Sequence, residues 1–195
     1  MIRWLVRHSE ELAQWLALVS AIGLVVVAAL SCMGEPPPDA HTSQGFGVYL
    51  ETPHPVSVAD LSRQADIQAD VASEALGCDV GALWRDLGER VSLRLTDEPL
   101  GPRGTWAGYT VAHETIDGLE DLGAECAIYW QSPFLCVGRS ALAHELTHVA
   151  LLAVRGNIDV EHATEGAWNG PGSITQLAMT MAIAEICPLP GAAQQ

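Results

Sequence analysis

The stretch Ser140-Ala141-Leu142-Ala143-His144-Glu145-Leu146-Thr147-His148-Val149-Ala150-Leu151-Leu152-Ala153-Val154-Arg155-Gly156 decides the fold. Ser140 is a good N-cap and Gly156 a good C-terminal stop, so the segment reads as one helix. Between them nearly every residue is Ala, Leu or Val, apart from His144, Glu145, Thr147, His148 and Arg155. A helix that is apolar on all sides is buried on most of them. Two imidazoles and a carboxylate in such a helix need partners, because unpaired buried polar groups are strongly disfavoured.

Those three residues form the pattern H-E-x-x-H. Positions i and i+4 lie one turn apart on one helix face, so His144 and His148 can reach the same metal ion. Glu145 then stands beside that ion, where it can take a proton from water as general base. Zinc fits this role, since it lowers the pKa of a bound water to about 7. The plainer alternative is a pair of core histidines satisfied by hydrogen bonds.

A catalytic zinc needs a third protein ligand and an open position. After Gly156 the chain continues Asn157-Ile158-Asp159-Val160-Glu161-His162-Ala163-Thr164-Glu165-Gly166-Ala167-Trp168, and His162 is its only histidine. His162 is the first choice, Glu165 the competitor, and Glu161 and Asp159 follow. Asp159 can instead orient a ligand imidazole.

Working outward, Ser57 or Asp60 caps an amphipathic helix from Asp60 to Leu76, with Leu61, Ala65, Ala69, Ala72 and Leu76 on its apolar face and Gly77 at its end. Val80 to Leu87 reads as a short helix closed by Gly88. Val91-Ser92-Leu93-Arg94-Leu95 alternates as a half-buried strand. Tyr109 to His113 and Glu125 to Trp130 are further strands, with a short one at Phe134 to Val137. Ser173 with Gln176 makes a capping box for a last helix to Ile186, which Pro188 stops. The expected fold is α+β, with a small, mostly antiparallel sheet packed on the buried helix and flanking helices.

The N-terminus reads as a targeting segment. Arg3 and Arg7 precede a charge-free run from Leu12 to Ser31, long enough to span a bilayer. It closes with Ala28-Ala29-Leu30-Ser31-Cys32, which is similar to a bacterial lipoprotein signal in which Cys32 is lipidated. An uncleaved membrane anchor is the alternative. Residues 1–31 are thus a signal peptide or anchor, 32–56 a lipidated cysteine and Pro-rich tether, and 57–195 the domain. Either reading exports the domain to the periplasmic or extracellular side and tethers it to the membrane. Four cysteines remain, and in an oxidising compartment two disulfides are expected, Cys126–Cys136 and Cys78–Cys187. Four buried free thiols are the alternative.

The formal net charge is −15, and every basic residue is an arginine. Arg3 and Arg7 offset Glu10 and Glu11, so the excess belongs wholly to the exported part. With no basic cluster, nucleic acid is excluded as a partner.

Ser140 to Trp168 resembles the zincin metallopeptidases, which carry H-E-x-x-H on a helix against a small sheet. The later His162 followed by Trp168 is similar to SprT-like proteases, whose intracellular DNA-repair role does not suit an exported acidic chain. In gluzincins the third ligand is a glutamate, which keeps Glu165 open. The metzincin pattern is absent, since Leu151 and Val154 occupy the places of its glycine and third histidine. The resemblance implies Zn²⁺ as cofactor, a peptide or protein as substrate, and a cleft-lining strand at Glu125 to Trp130 or Phe134 to Val137. It also implies a transition-state donor, for which Tyr109, His113 and Tyr129 are candidates. The alternative function is an inactive zincin-fold lipoprotein that binds peptide or metal.

Overall fold

The computed structural model of the chain describes residues 36–51, 56–113, 122–129 and 135–186, with a few positions between 15 and 22. The local signals set the helices. Ser57 caps α1 (Val58–Leu76), its hydroxyl accepting from the amide of Asp60, and Gly77 ends it in the left-handed conformation. Its buried face carries Leu61, Ala65, Ala69 and Ala72 as expected, together with the polar Gln64 and Gln68. Asp79 caps α2 (Val80–Leu87), and a single 3₁₀ turn at Gly88–Arg90 leads into the sheet.

The sheet has five strands: β1 (Ala40–His41), β2 (Gly47–Leu50), β3 (Val91–Thr96), β4 (Gly108–His113) and β5 (Gly123–Tyr129). Their spatial order is β1-β2-β3-β5-β4. The β2–β3 and β3–β5 pairs are parallel; β1–β2 and β4–β5 are antiparallel. The α+β class stands, but the sheet is mixed rather than mostly antiparallel. Two pairs make it so: β3 and β5 run parallel because β4 lies outside β5, and β2 runs parallel to β3. A parallel β2–β3 pair needs a crossover, which α1 and α2 supply.

Residues 40–50, expected within a tether, thus carry two strands of the sheet. The chain divides into two units at Pro37 and Pro38, and the second runs from Pro38 to Gln195. Within it, Phe46 and Val48 are fully buried, and the Phe46 ring packs 5.4 Å from that of Trp84. A tight turn makes this possible. The Gly45 amide donates to Thr42 O at 2.9 Å with Gly45 at φ 88°, a conformation glycine adopts freely. Strands of two and four residues give too little alternation to be read among prolines and glycines.

Helix α3 (Leu135–Arg155) begins five residues before Ser140, so residues 135–137 of the strand expected at Phe134 to Val137 are helical. It touches α1, α2, β4, β5 and α4 (Ile174–Ile186). Leu142, Ala143, Leu146, Val149, Ala150 and Leu151 are fully buried along it. Ser173 caps α4, accepting from the Gln176 amide at 3.2 Å. The opposite face of the sheet carries a polar row, with Arg94 over the Tyr49 ring and 3.4 Å from Glu125.

Among the described residues no helix is long and apolar enough to cross a membrane. Cys32 and nearly all of residues 1–31, where a signal segment is expected, lie outside the described residues. Cys126 is buried and Cys78 half-buried, while the side chains of Cys136 and Cys187, their expected disulfide partners, lie outside the described residues.

If residues 38–50 belong to the core, Phe46→Ala should destabilise the fold by about 3–5 kcal/mol. Equilibrium chemical denaturation checks this; a tether residue would leave the midpoint unmoved.

Candidate metal centre

One face of α3 presents His144 and His148 a turn apart, and the loop after the helix returns His162 to them. The ligand nitrogens of the three all lie within 4.8 Å of one another. His144 Nε2 and His162 Nε2 are 3.2 Å apart, close to the roughly 3.3 Å that two nitrogens keep on a tetrahedral ion bound at about 2.0–2.1 Å. Among the described residues this is the one cluster able to hold a metal. Glu165 is exposed and not part of it, so the third position falls to His162.

The return loop is built by one carboxylate. Helix α3 ends at Gly156 with φ 69°. Asp159 then accepts from the amides of Ala163 (3.0 Å) and Thr164 (2.7 Å) and from the indole N–H of Trp168 (2.8 Å). Asp159 and His162 adopt φ 53° and 55°, and the His162 amide donates to Asp159 O at 2.9 Å. Left-handed backbone is unfavourable for most side chains, though Asp, Asn and His enter it more readily than others. The Trp168 ring lies 4.3 Å from that of His148, 4.5 Å from His162 and 5.0 Å from His144. It is the floor on which all three imidazoles rest.

His148 is oriented from behind. Its Nδ1 is 2.5 Å from the carbonyl of Ile158, which makes Nδ1 the protonated nitrogen and leaves Nε2 for a metal. The orienting group is thus a backbone carbonyl; Asp159 acts on the loop rather than on this imidazole.

Glu145 is 3% exposed and sits beneath β4. The Thr110 hydroxyl donates to its Oε2 at 2.7 Å. A Cβ at Gly108 would stand 2.7 Å from Oε1 and 2.9 Å from Cγ, so only glycine admits the carboxylate there. Sequence reasoning missed Thr110 and Gly108, which lie far from the motif in the chain. It also missed a buried chain of hydroxyls behind the site. Gln68 donates to Thr147 Oγ1 (2.9 Å), Thr147 meets Thr175 (3.1 Å), and Thr175 donates to Ala167 O (3.0 Å), next to Trp168.

Burial governs the electrostatics. It pushes the Glu145 carboxyl up to about 7, against the Thr110 hydrogen bond. Burial and the neighbouring His148 and His162 hold His144 down to about 4. Burial also lowers His148, partly opposed by the Ile158 carbonyl. Neutral imidazoles are the form that binds metal. Hydrogen bonds from Trp168 and Thr164 hold Asp159 well below the usual carboxylate range.

Of the three expected donors, Tyr109 lines the rim of the recess that holds the three imidazoles and Glu145, while His113 and Tyr129 do not line it. Side chains alternate along a strand. Thr110 faces Glu145, so Tyr109 and His113 face the other side of the sheet, and Tyr129 shares that side with Glu125. The Tyr109 phenol accordingly feels Glu125, Arg94 and Glu51. The cleft-lining strand is also different. β5 is paired on both sides, and β4 is the edge strand beside the site.

His162→Ala should lose most metal affinity while Glu165→Ala keeps it, and Asp159→Ala should weaken binding by roughly 10–100-fold through the loop. Competition with a chromophoric chelator measures all three. Retention of affinity in His162→Ala with loss in Glu165→Ala would reverse the assignment.

No family model, curated protein or solved structure matches the chain, so the reading of this centre rests on its own geometry.

Proposed function

We propose that the protein is an exported, membrane-tethered, zinc-dependent peptidase of zincin type. The observation that carries the reading is the constellation itself: three imidazole nitrogens within 4.8 Å, and beside them a buried carboxylate with one oxygen held by Thr110. Three nitrogens and an open side suit zinc, which when bound supplies Lewis acidity toward water and a carbonyl. Export rests on the sequence pattern around Cys32.

The chain's own residues supply the rest. Glu145 takes a proton from the attacking water and returns it to the leaving nitrogen, so water adds across the C–N bond to give a carboxylic acid and an amine. Thr110 fixes Oε2 and so leaves Oε1 as the working oxygen, against Gly108.

Strand β4 offers the polypeptide a place to lie. Tyr129 N donates to Ala107 O, so residue 107 is hydrogen-bonded across to β5. Antiparallel pairs alternate, so 109 and 111 also turn their backbone groups to β5. Gly108, Thr110 and Ala112 then turn theirs to the free edge, ready to pair with an extended chain.

A Glu145→Gln variant should retain one equivalent of zinc and lose at least about 10²-fold in turnover on a denatured protein, the scale of a general base. Elemental analysis and a fluorescent digestion assay read the two quantities. Equal turnover in variant and wild type, or none in either, would sink the peptidase reading and favour a lipoprotein that only binds metal or peptide.

A further inference from the structure

Two recesses open from the site and share Trp106, Gly108, His144 and Glu145. One, of about 420 Å³, reaches back to Thr105, Ala141 and Thr175. The other, of about 460 Å³, reaches on to Val111, Val160 and His162. The two elements that wall them agree on direction. Along β4 the lining runs from residue 105 to 111; along α3 it runs from Ala141, just over a turn before Glu145, to His148, just under a turn after it. Glu145 and His144 therefore stand midway along one groove and not at its end.

The chemistry of the lining decides what fits. A free carboxylate terminus would call for an arginine or lysine. A free amino terminus would call for carboxylates besides the working one. Among the described residues that line the recesses there is no arginine or lysine, and Glu145 is the one carboxylate. Apolar surface is offered instead. Trp106 is 50% exposed and Val160 is 67% exposed. The Trp106 indole is nevertheless seated. Its amide donates to Leu100 O at 3.0 Å, and its ring lies where a Cβ on Gly101 would be, 2.5 Å from Cδ2. Gly101 sits at φ 81°, so both its backbone and its lack of a side chain serve this seat. An exposed but fixed aromatic that lines both recesses is a stacking surface for a ligand.

We infer that the groove takes an internal stretch of extended polypeptide rather than a terminus. Bulky apolar side chains on either side of the reacting bond are its substrate class, and Trp106 is a specificity-determining residue for both. Resting on the peptidase reading, this makes the activity an endopeptidase one: the scissile amide lies within the chain, and its hydrolysis yields two peptides.

The test separates groove from chemistry. Zinc-loaded full-length Glu145→Gln protein in detergent is titrated calorimetrically with one apolar peptide in two forms, acetylated and amidated or with free termini. A third peptide has serines at the apolar positions. The two apolar forms should bind within about twofold of each other, and the serine peptide at least about tenfold more weakly. Trp106→Ala should reproduce that loss and Trp106→Phe should restore most of it. Binding that requires a free terminus, or that ignores Trp106 and the apolar residues, would overturn the inference. Mass spectrometry of the capped peptide after incubation with wild type completes it. Two internal fragments support the inference, and release of single terminal residues overturns it. Binding without cleavage supports the groove assignment and counts against the hydrolytic reading alone.

Discussion

Everything in this molecule depends on placing two imidazoles and a carboxylate in its most buried helix. An isolated polar group without a partner in such surroundings costs about 1–3 kcal/mol or more. Helix α3 is surrounded by three helices and two strands, so no water relieves that penalty on its inner faces. Three of its polar groups have accordingly acquired dedicated partners, while His144 meets His162 at the metal centre. Ile158 O serves His148, Thr110 serves Glu145, and Ala143 O, Gln68 and Thr175 serve Thr147. These partners come from β4, α1, α4 and the return loop. The demand of one helix therefore recruits most of the fold.

The same demand explains an inversion in β4. Its small residues, Gly108, Thr110 and Ala112, face α3, while Tyr109, Val111 and His113 take the alternate side, from which Tyr109 and Val111 reach the rim of the recess. A strand that covers an apolar core usually shows its large residues inward. Here a carboxylate occupies the space against Gly108, and a side chain there would displace it. The inward face is small because the site fills it.

This inversion marks where sequence reasoning stopped. The helix, its motif, the capping at Ser57 and Ser173 and the stop at Gly77 rest on neighbours within a few residues, and such local chemistry is legible. The return of His162 was legible as well, because Gly156 and the polar residues after it leave few other paths. Which of Tyr109, His113 and Tyr129 reaches the recess was not legible, because the parity of a strand is set by contacts far along the chain; Tyr109 lines it and the other two do not. Thr110 lies 35 residues from Glu145, and nothing local couples them. The mixed sheet was hidden for a similar reason. Strand β2 is four residues long and sits among turn-formers, and the order that places β5 between β3 and β4 is set by pairing far along the chain.

The return loop carries the remaining tension. Asp159 and His162 both hold left-handed backbone, and strain of this kind costs of order 1–3 kcal/mol per residue. Four hydrogen bonds oppose it, three to the Asp159 carboxylate and one from the His162 amide to Asp159 O. Trp168 fixes the loop to the imidazoles from within, and the Thr147–Thr175–Ala167 chain fixes the segment before Trp168 to the motif helix. The loop and the core thus share one polar network. An ion joining His162 to His144 and His148 would cross-link the two ends of that network. Because a ligand that binds only the folded arrangement stabilises it, part of the metal's binding free energy would appear as stability of the loop. Metal affinity and loop order are then one quantity seen from two sides, and Asp159, which touches no ligand atom, governs both.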